Sequence, residues 1–183
     1  MGTSLSRALA RVWSRHERRV LLVGLDAAGK TTILYNLRLG KAISSIPTVG
    51  FNVETVRFDR FKLHIWDVGG QDSLRPYWRH HFTGTQGIVF VIDSADAKRL
   101  ELAKAELSGV LLDSQLQDAC LLVFLNKRDL PEALSVEQLV ATLEIEKHCR
   151  ASERKFSVQP AVATTGEGLR EGITWLCENM TAL

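Results

Sequence analysis

Nowhere does this chain of 183 residues run through the roughly 18 consecutive apolar residues that a helix needs to cross a bilayer, so no transmembrane helix is expected. Cysteine is scarce. Cys120, Cys149 and Cys177 are odd in number and far apart, which excludes a zinc-ligand spacing and a disulfide framework and points to a reducing compartment. Proline occurs four times and no Pro-, Gly- or Ser-rich stretch interrupts the chain, so no linker between domains is expected. No internal repeat or low-complexity segment is found. A strong excess of charge of one sign is also missing. The net charge is +2, and nearly all of the asymmetry lies in residues 1–19, where five arginines face one glutamate. The remainder is close to neutral, which excludes a broad nucleic-acid-binding surface.

The basic leader, residues 1–18, has a pattern of its own. Leu5, Leu9, Val12 and Trp13 follow helical spacing, while Arg7, Arg11, Arg15 and Arg18 fall on the opposite stripe. Such an amphipathic helix can lie in a lipid interface, or it can dock on the protein's own core. Met1-Gly2 with Ser6 matches the N-myristoylation pattern, in which Gly2 receives the acyl chain. One myristoyl chain binds membranes with only about 10⁴ M⁻¹, so the helix would supply the second contact.

Residues 19–183 alternate between strand and helix. Apolar runs at 19–24, 87–93 and 120–125 read as buried strands, with a last strand over Phe156 to Ala163. Helices are expected near 30–39, 98–112, 135–147 and 167–179. Continuous apolar strands suit a parallel sheet covered on both faces. The segments 51–58 and 61–67, joined by Asp59-Arg60, break the alternation. A two-residue connection requires an antiparallel edge strand. The fold class is therefore α/β: a six-stranded, mostly parallel sheet with one antiparallel edge strand and helices on both faces. Glu144 to Gln159 is charged and reads as a variable surface loop.

Three motifs carry chemistry. Gly24 to Thr31 (GLDAAGKT) fits GxxxxGK(S/T) between a strand and a helix. Main-chain amides from Asp26, Ala27, Ala28 and Gly29 into Lys30, Thr31 and Thr32 would cradle phosphates. Lys30 would neutralise the outer phosphates, and Thr31 would ligate magnesium. By itself the motif leaves GTPases, ATPases and small-molecule kinases open. Asn126-Lys127-Arg128-Asp129 follows a buried strand. The Asp129 carboxylate can accept from guanine N1–H and the exocyclic amine, whereas adenine would leave it unpaired. Asn126 would brace the loop and Lys127 would lay its stem along the base. A backbone N–H of Val162-Ala163-Thr164 would read guanine O6. Third, Asp67-Val68-Gly69-Gly70-Gln71 ends the second strand of the edge pair. Asp67 suits a water-mediated magnesium contact, Gly70 an N–H to a γ-phosphate, and Gln71 the orientation of an attacking water. Thr48, after Ile46-Pro47, can complete the magnesium shell. A P-loop kinase would need an acceptor domain and an arginine-rich lid, and neither is found. A nucleotide-locked scaffold would lose Gln71 or Thr48, and both are present.

Together these residues resemble the ADP-ribosylation factor (Arf) family of small GTPases. The strings GLDAAGKTTILYNL and WDVGGQDSLRPYWRHHF carry the likeness, which spans essentially the whole chain including Gly2 and the leader. The resemblance implies a P-loop G domain that switches between GDP and GTP with Mg2+ and hydrolyses GTP. It also implies a monomer that meets exchange factors, GTPase-activating proteins (GAPs) and coat or tether effectors in vesicle traffic. Residence would be cytoplasmic and reversibly membrane-bound, typically at the Golgi. The wording of the motifs leans to an Arf proper, with an Arf-like protein of non-coat role as the alternative. In the family, the strand pair between the two switch segments slides by two residues and evicts the leader. Side chains alternate faces with period two, so such a slide keeps every inward residue inward. Phe51, Trp66 and His81 resemble the family's aromatic effector-reading triad, but His81 stands where tyrosine is usual. That departure predicts an altered choice of effector and places a side chain that titrates near neutral pH in the effector-reading triad. No insertion between Leu39 and Thr48 could bring an arginine in cis, so an arginine supplied in trans is expected.

Overall fold

The computed structural model describes residues 17–42 and 48–181. Residues 1–16 of the expected leader helix, Gly2 among them, and the Ile46-Pro47 pair lie outside the described residues, whereas Glu17 and Arg18, expected at the end of that helix, belong to the first strand, where they pair with Lys62 and Leu63. Six strands form one sheet in the order β2-β3-β1-β4-β5-β6. They are β1 (Glu17–Val23), β2 (Phe51–Phe58), β3 (Phe61–Val68), β4 (Gly87–Asp93), β5 (Cys120–Asn126) and β6 (Phe156–Pro160). All neighbours are parallel except β2 and β3, which pair antiparallel from Phe51↔Val68 to Phe58↔Phe61 around the Asp59-Arg60 turn. Asp59 adopts a left-handed φ of 48° there, which its short polar side chain tolerates.

Period-two alternation divides the apolar runs between two cores. Leu21, Val23, Phe90, Val123 and Leu125 face one side. There they meet α2 (Leu100–Leu112), α3 (Val136–Leu143), α4 (Ile145–Ala151) and Trp78. Val20, Leu22, Val89, Leu122 and Phe124 face the other side, under α1 (Lys30–Leu39) and α5 (Leu169–Asn179). A parallel sheet covered on both faces follows. The C-terminal ends of β1, β3, β4, β5 and β6 and the start of β2 share one edge of the sheet. All three motif loops therefore emerge together, beside the point where the chain switches sides of β1. The three cysteines are buried and unpaired. Burial pushes Cys120 and Cys149 up to about 11 and Cys177 up to about 12, so the thiols stay protonated. No helix of the described residues is long and apolar enough to cross a membrane.

Three further expectations need correction. The helix expected over 135–147 is two helices. Ser135 and Gln138 cap the first reciprocally (Gln138 N–H to Ser135 Oγ, 3.1 Å; Ser135 N–H to Gln138 Oε1, 2.9 Å). The chain then breaks at Glu144, at φ 48°, where the carboxylate meets Lys104 at 3.4 Å and Lys147 at 3.5 Å. Second, Glu144 to Gln159 is no surface loop. It supplies α4, whose Ile145 and Cys149 are fully buried, and most of β6. Its charge misleads because one charged residue points inward. Arg154 is only 7% exposed and donates to the carbonyls of Leu111, Leu116 and Ala119, tying the end of α2 to the start of β5. Replacing it takes a donor from each of these carbonyls, of which Leu116 O keeps Ala119 N–H at 3.1 Å, and removes a buried charge from its partners, so Arg154→Ala should cost about 2–4 kcal/mol in denaturant unfolding. A loss below about 0.5 kcal/mol, the level of an ordinary surface substitution, would contradict this role. Third, the last strand ends at Pro160 rather than Ala163, and the last helix begins at Leu169. Ala161 N–H still donates to Leu125 O at 2.9 Å, but Val162 leaves the sheet to bridge Glu167.

Candidate functional site

The turn from β1 into α1 brings a row of amides to the sheet edge. Gly29 caps α1 at φ 98° with no side-chain hydrogen bond, which leaves the first-turn N–H groups free of any side-chain cap. A Cβ at Gly29 would lie 2.3 Å from Asn126 Nδ2, so only glycine fits both the conformation and the space. Ala28 is buried in the core, and its carbonyl accepts from Asn126 Nδ2 at 2.8 Å. Lys30 is buried, and its Nζ donates to Gly24 O and Leu25 O, each at 2.8 Å. Burial lowers its pKa to about 8, against the opposing pull of Asp67 and Asp26. An anion in the loop would restore the full cation.

Beside this loop three oxygens converge. Thr31 Oγ1 donates to Asp67 Oδ2 at 2.7 Å and lies 3.0 Å from Thr48 Oγ1. Thr48 Oγ1 reaches the same carboxylate oxygen at 3.4 Å. Asp67 is fully buried, and its Oδ1 has no hydrogen-bond partner among the described residues. Burial raises its pKa, while the Thr31 hydrogen bond and Lys30 act the other way. Two hydroxyls and a carboxylate with an unsatisfied oxygen form a hard, oxygen-only donor set, which fits Mg2+. Gly70 rests directly on the phosphate loop: its carbonyl accepts from Asp26 N–H at 3.1 Å, and a Cβ there would come within 2.3 Å of Gly24 O. Gln71 is half-buried beside it. An open cleft of about 400 Å³ runs from Thr48, Gly70 and Gln71 past Thr32 and Ala27 to Lys127.

The base end is built differently from the sequence expectation in one respect. Asn126 is buried and accepts Ala163 N–H at 2.9 Å while holding Ala28 O, so it braces two loops at once. Lys127, at φ 62°, pairs with Asp93 at 2.6 Å and lines the cleft. Asp129 is exposed. Val162 N–H, however, donates to Glu167 O at 3.0 Å, so it and Ala163 N–H both have protein partners. Of the amides proposed to read guanine O6, Thr164 N–H is the one without a protein partner among the described residues.

Sequence reasoning overlooked two arginines. Arg99 follows β4 and donates to Asp26 Oδ1 (2.8 Å) and Asp26 O (3.2 Å), while Asp96 holds its Nε at 2.6 Å. Arg19 lies over the Trp66 ring, 3.9 Å from its centroid, and donates to His81 O at 3.0 Å. No local signal marks either for these contacts, because Asp26, Trp66 and His81 are far away in the chain and only Asp96 is close to Arg99. Phe51, Trp66 and His81 do cluster, with ring centroids 4.7–5.4 Å apart. Burial, with Arg19 and His80 nearby, holds the His81 pKa below the ordinary histidine value, which favours a neutral ring at pH 7.

Comparison with known proteins adds to this geometry. The model of the ADP-ribosylation factor family matches residues 5–180. Among solved structures, the chain is similar to the Arl6 BBS3 small GTPase from Trypanosoma brucei with bound nucleotide analogue GppNp. The TM-score is 0.82 at 30% identity, covering 88% of this chain and 96% of that one.

Proposed function

The chain belongs to the ADP-ribosylation factor family of small GTPases, and on that premise we propose that it works as a GDP/GTP switch whose nucleotide state governs membrane attachment and effector binding. The observation that carries this reading is the convergence of Thr31, Thr48 and Asp67 beside Gly70 at the phosphate end of the cleft. Thr48 and Gly70 belong to separate segments, and a third phosphate is the ligand part that both would touch.

In this reading the uncapped N–H groups of α1 and the Lys30 ammonium hold the phosphates. Asp129 selects guanine, on a loop that Asn126 locks to the phosphate loop. Mg2+, held by Thr31, Thr48 and through water by Asp67, offsets phosphate charge when bound. Gln71 orients a water in line with the γ-phosphorus. The new P–O bond forms as the bond to the β–γ bridging oxygen breaks, giving GDP and inorganic phosphate. Three arginines near the switch segments are already engaged: Arg38 with Glu54, Arg75 with Asp72 and Glu106, and Arg79 with Asp113. This supports an arginine delivered in trans by a GAP, worth about 10³–10⁵ in rate.

The membrane half of the proposal rests on the leader and Gly2. GDP would leave the leader stowed. GTP would draw Thr48 and Gly70 inward, shift the β2–β3 pair by two residues and release the leader to the bilayer at the Golgi. Residues 51–67 contain no glycine or proline to break such a ribbon. The similarity to an Arl6 protein, together with His81 in the aromatic cluster, favours an Arf-like assignment with its own effectors. Flotation of myristoylated protein with anionic liposomes tests the linkage. Binding should be strong with a GTP analogue, weak with GDP and lost in Gly2→Ala. Equal flotation in both nucleotide states would sink it.

A further inference from the structure

A carboxylate stands in the wall of a cleft suited to a polyanion. Asp26 lies in the phosphate loop, lines the cleft and keeps 43% of its side chain exposed. Left alone, its charge would repel phosphates, and it would repel a triphosphate more than a diphosphate because the former carries additional negative charge. Arg99 answers that charge. Its two terminal nitrogens both go to Asp26, one to the carboxylate and one to the main-chain carbonyl. Its Nε goes to Asp96, whose other carboxylate oxygen accepts Arg99 N–H at 3.3 Å. The fork is thus preset from β4 and grips the phosphate loop across 73 residues of chain. The same Asp26 donates its N–H to Gly70 O, so the residue that Arg99 holds also contacts the segment expected to sense the third phosphate.

We propose that Arg99 is a positioning residue that sets the preference between tri- and diphosphate by masking the Asp26 carboxylate and turning it away from the γ-phosphate position. Withdrawal of Arg99 would expose the carboxylate to the incoming ligand and tilt the protein toward GDP. The inference rests on the nucleotide-switch reading above and goes beyond it, because it assigns the GTP:GDP preference to an ion pair that touches neither the base nor the metal ligands.

The test uses the full chain with Mg2+, fluorescent GDP and a non-hydrolysable GTP analogue. Arg99→Gln should lower the ratio of triphosphate to diphosphate affinity by at least about tenfold, which lies between the roughly fivefold effect of a unit charge about 4 Å away in water and the roughly 10³-fold effect at an effective dielectric of about 20. Arg99→Lys, which keeps the charge but loses the fork, should lower the ratio less than Arg99→Gln does, and an equal fall in both would overturn the charge-masking role. Adding Asp26→Asn to Arg99→Gln should restore the ratio, since no carboxylate then remains to mask. A purely structural role for Arg99 would weaken both nucleotides alike, and an unmoved ratio would overturn the proposal. A ratio that stays depressed in the double variant would overturn it too. If Arg99→Gln alone retains no nucleotide, Asp26→Asn in the wild-type background decides. It should shift the ratio severalfold toward the triphosphate, and no shift overturns the proposal. Wild-type protein that takes up neither nucleotide would defeat the underlying reading along with this one.

Discussion

Gln71→Leu should load GDP and GTP normally yet lose GAP-stimulated hydrolysis by at least about 10²–10³-fold. The side chain lines the cleft next to Gly70, and its position is set by the turn that follows. The Gln71 carbonyl accepts from Leu74 N–H at 2.9 Å and from Arg75 N–H at 3.2 Å, and Arg75 is clamped by Asp72 and Glu106, each at 2.6 Å. Leucine preserves that backbone turn and much of the side-chain volume, but it offers neither donor nor acceptor to hold a water in line. Binding is therefore spared while the chemical step is not. Single-turnover phosphate release with saturating GAP reads the effect directly. Undiminished turnover would remove Gln71 from the water-orienting role and leave nucleotide binding untouched.

Asp129→Asn should exchange guanine for xanthine selectivity, with GTP affinity falling by about 10³–10⁴ and xanthosine triphosphate binding gained. The carboxylate accepts two hydrogen bonds, which guanine supplies from N1–H and its amine. An amide in its place presents one acceptor and one donor, matching the N1–H and 2-oxo edge of xanthine. Asp129 is exposed, so the change spares the core. Its loop is anchored independently by Asn126 to Ala28 O and Ala163 N–H, and by Arg128 N–H to Ala161 O at 3.2 Å. Competition binding with the two triphosphates distinguishes the outcomes. Unchanged preference for GTP would refute the base assignment.

Gln71 lines the cleft, as does Lys127, two residues before Asp129, and the elements between these loops are what couple them. Asn126 joins the base loop to the phosphate loop, Lys127 joins it to Asp93 at the end of β4, and Arg99 joins the same β4 loop back to Asp26. A change at one loop thus has a short route to the others. Gly70, pressed against Gly24 and Asp26 with no room for a Cβ, closes the ring on the phosphate side.

Much of this was legible in the chain because it is written in consecutive residues. A phosphate loop is a local object: its glycines, lysine and threonine are adjacent, and its mechanism needs only a strand before and a helix after. Buried parallel strands announce themselves as unbroken apolar runs, and a two-residue connection forces antiparallel pairing. Even the convergence of Thr31, Thr48 and Asp67 could be expected from motif order alone. Other features depended on which strands lie side by side. Arg99 and Asp26 meet because β4 lies next to β1. Arg154 looked like part of a charged loop until α2 and β5 brought three carbonyls to it. The engagement of Val162 and Ala163 N–H with Glu167 and Asn126, and the break at Glu144 that faces Lys104 across to α2, have the same origin. Local backbone preference and apolar periodicity act between neighbours and so can be read along the chain. The pairing of a distant cation with a carboxylate or a carbonyl is decided only when strand order brings them within hydrogen-bond reach.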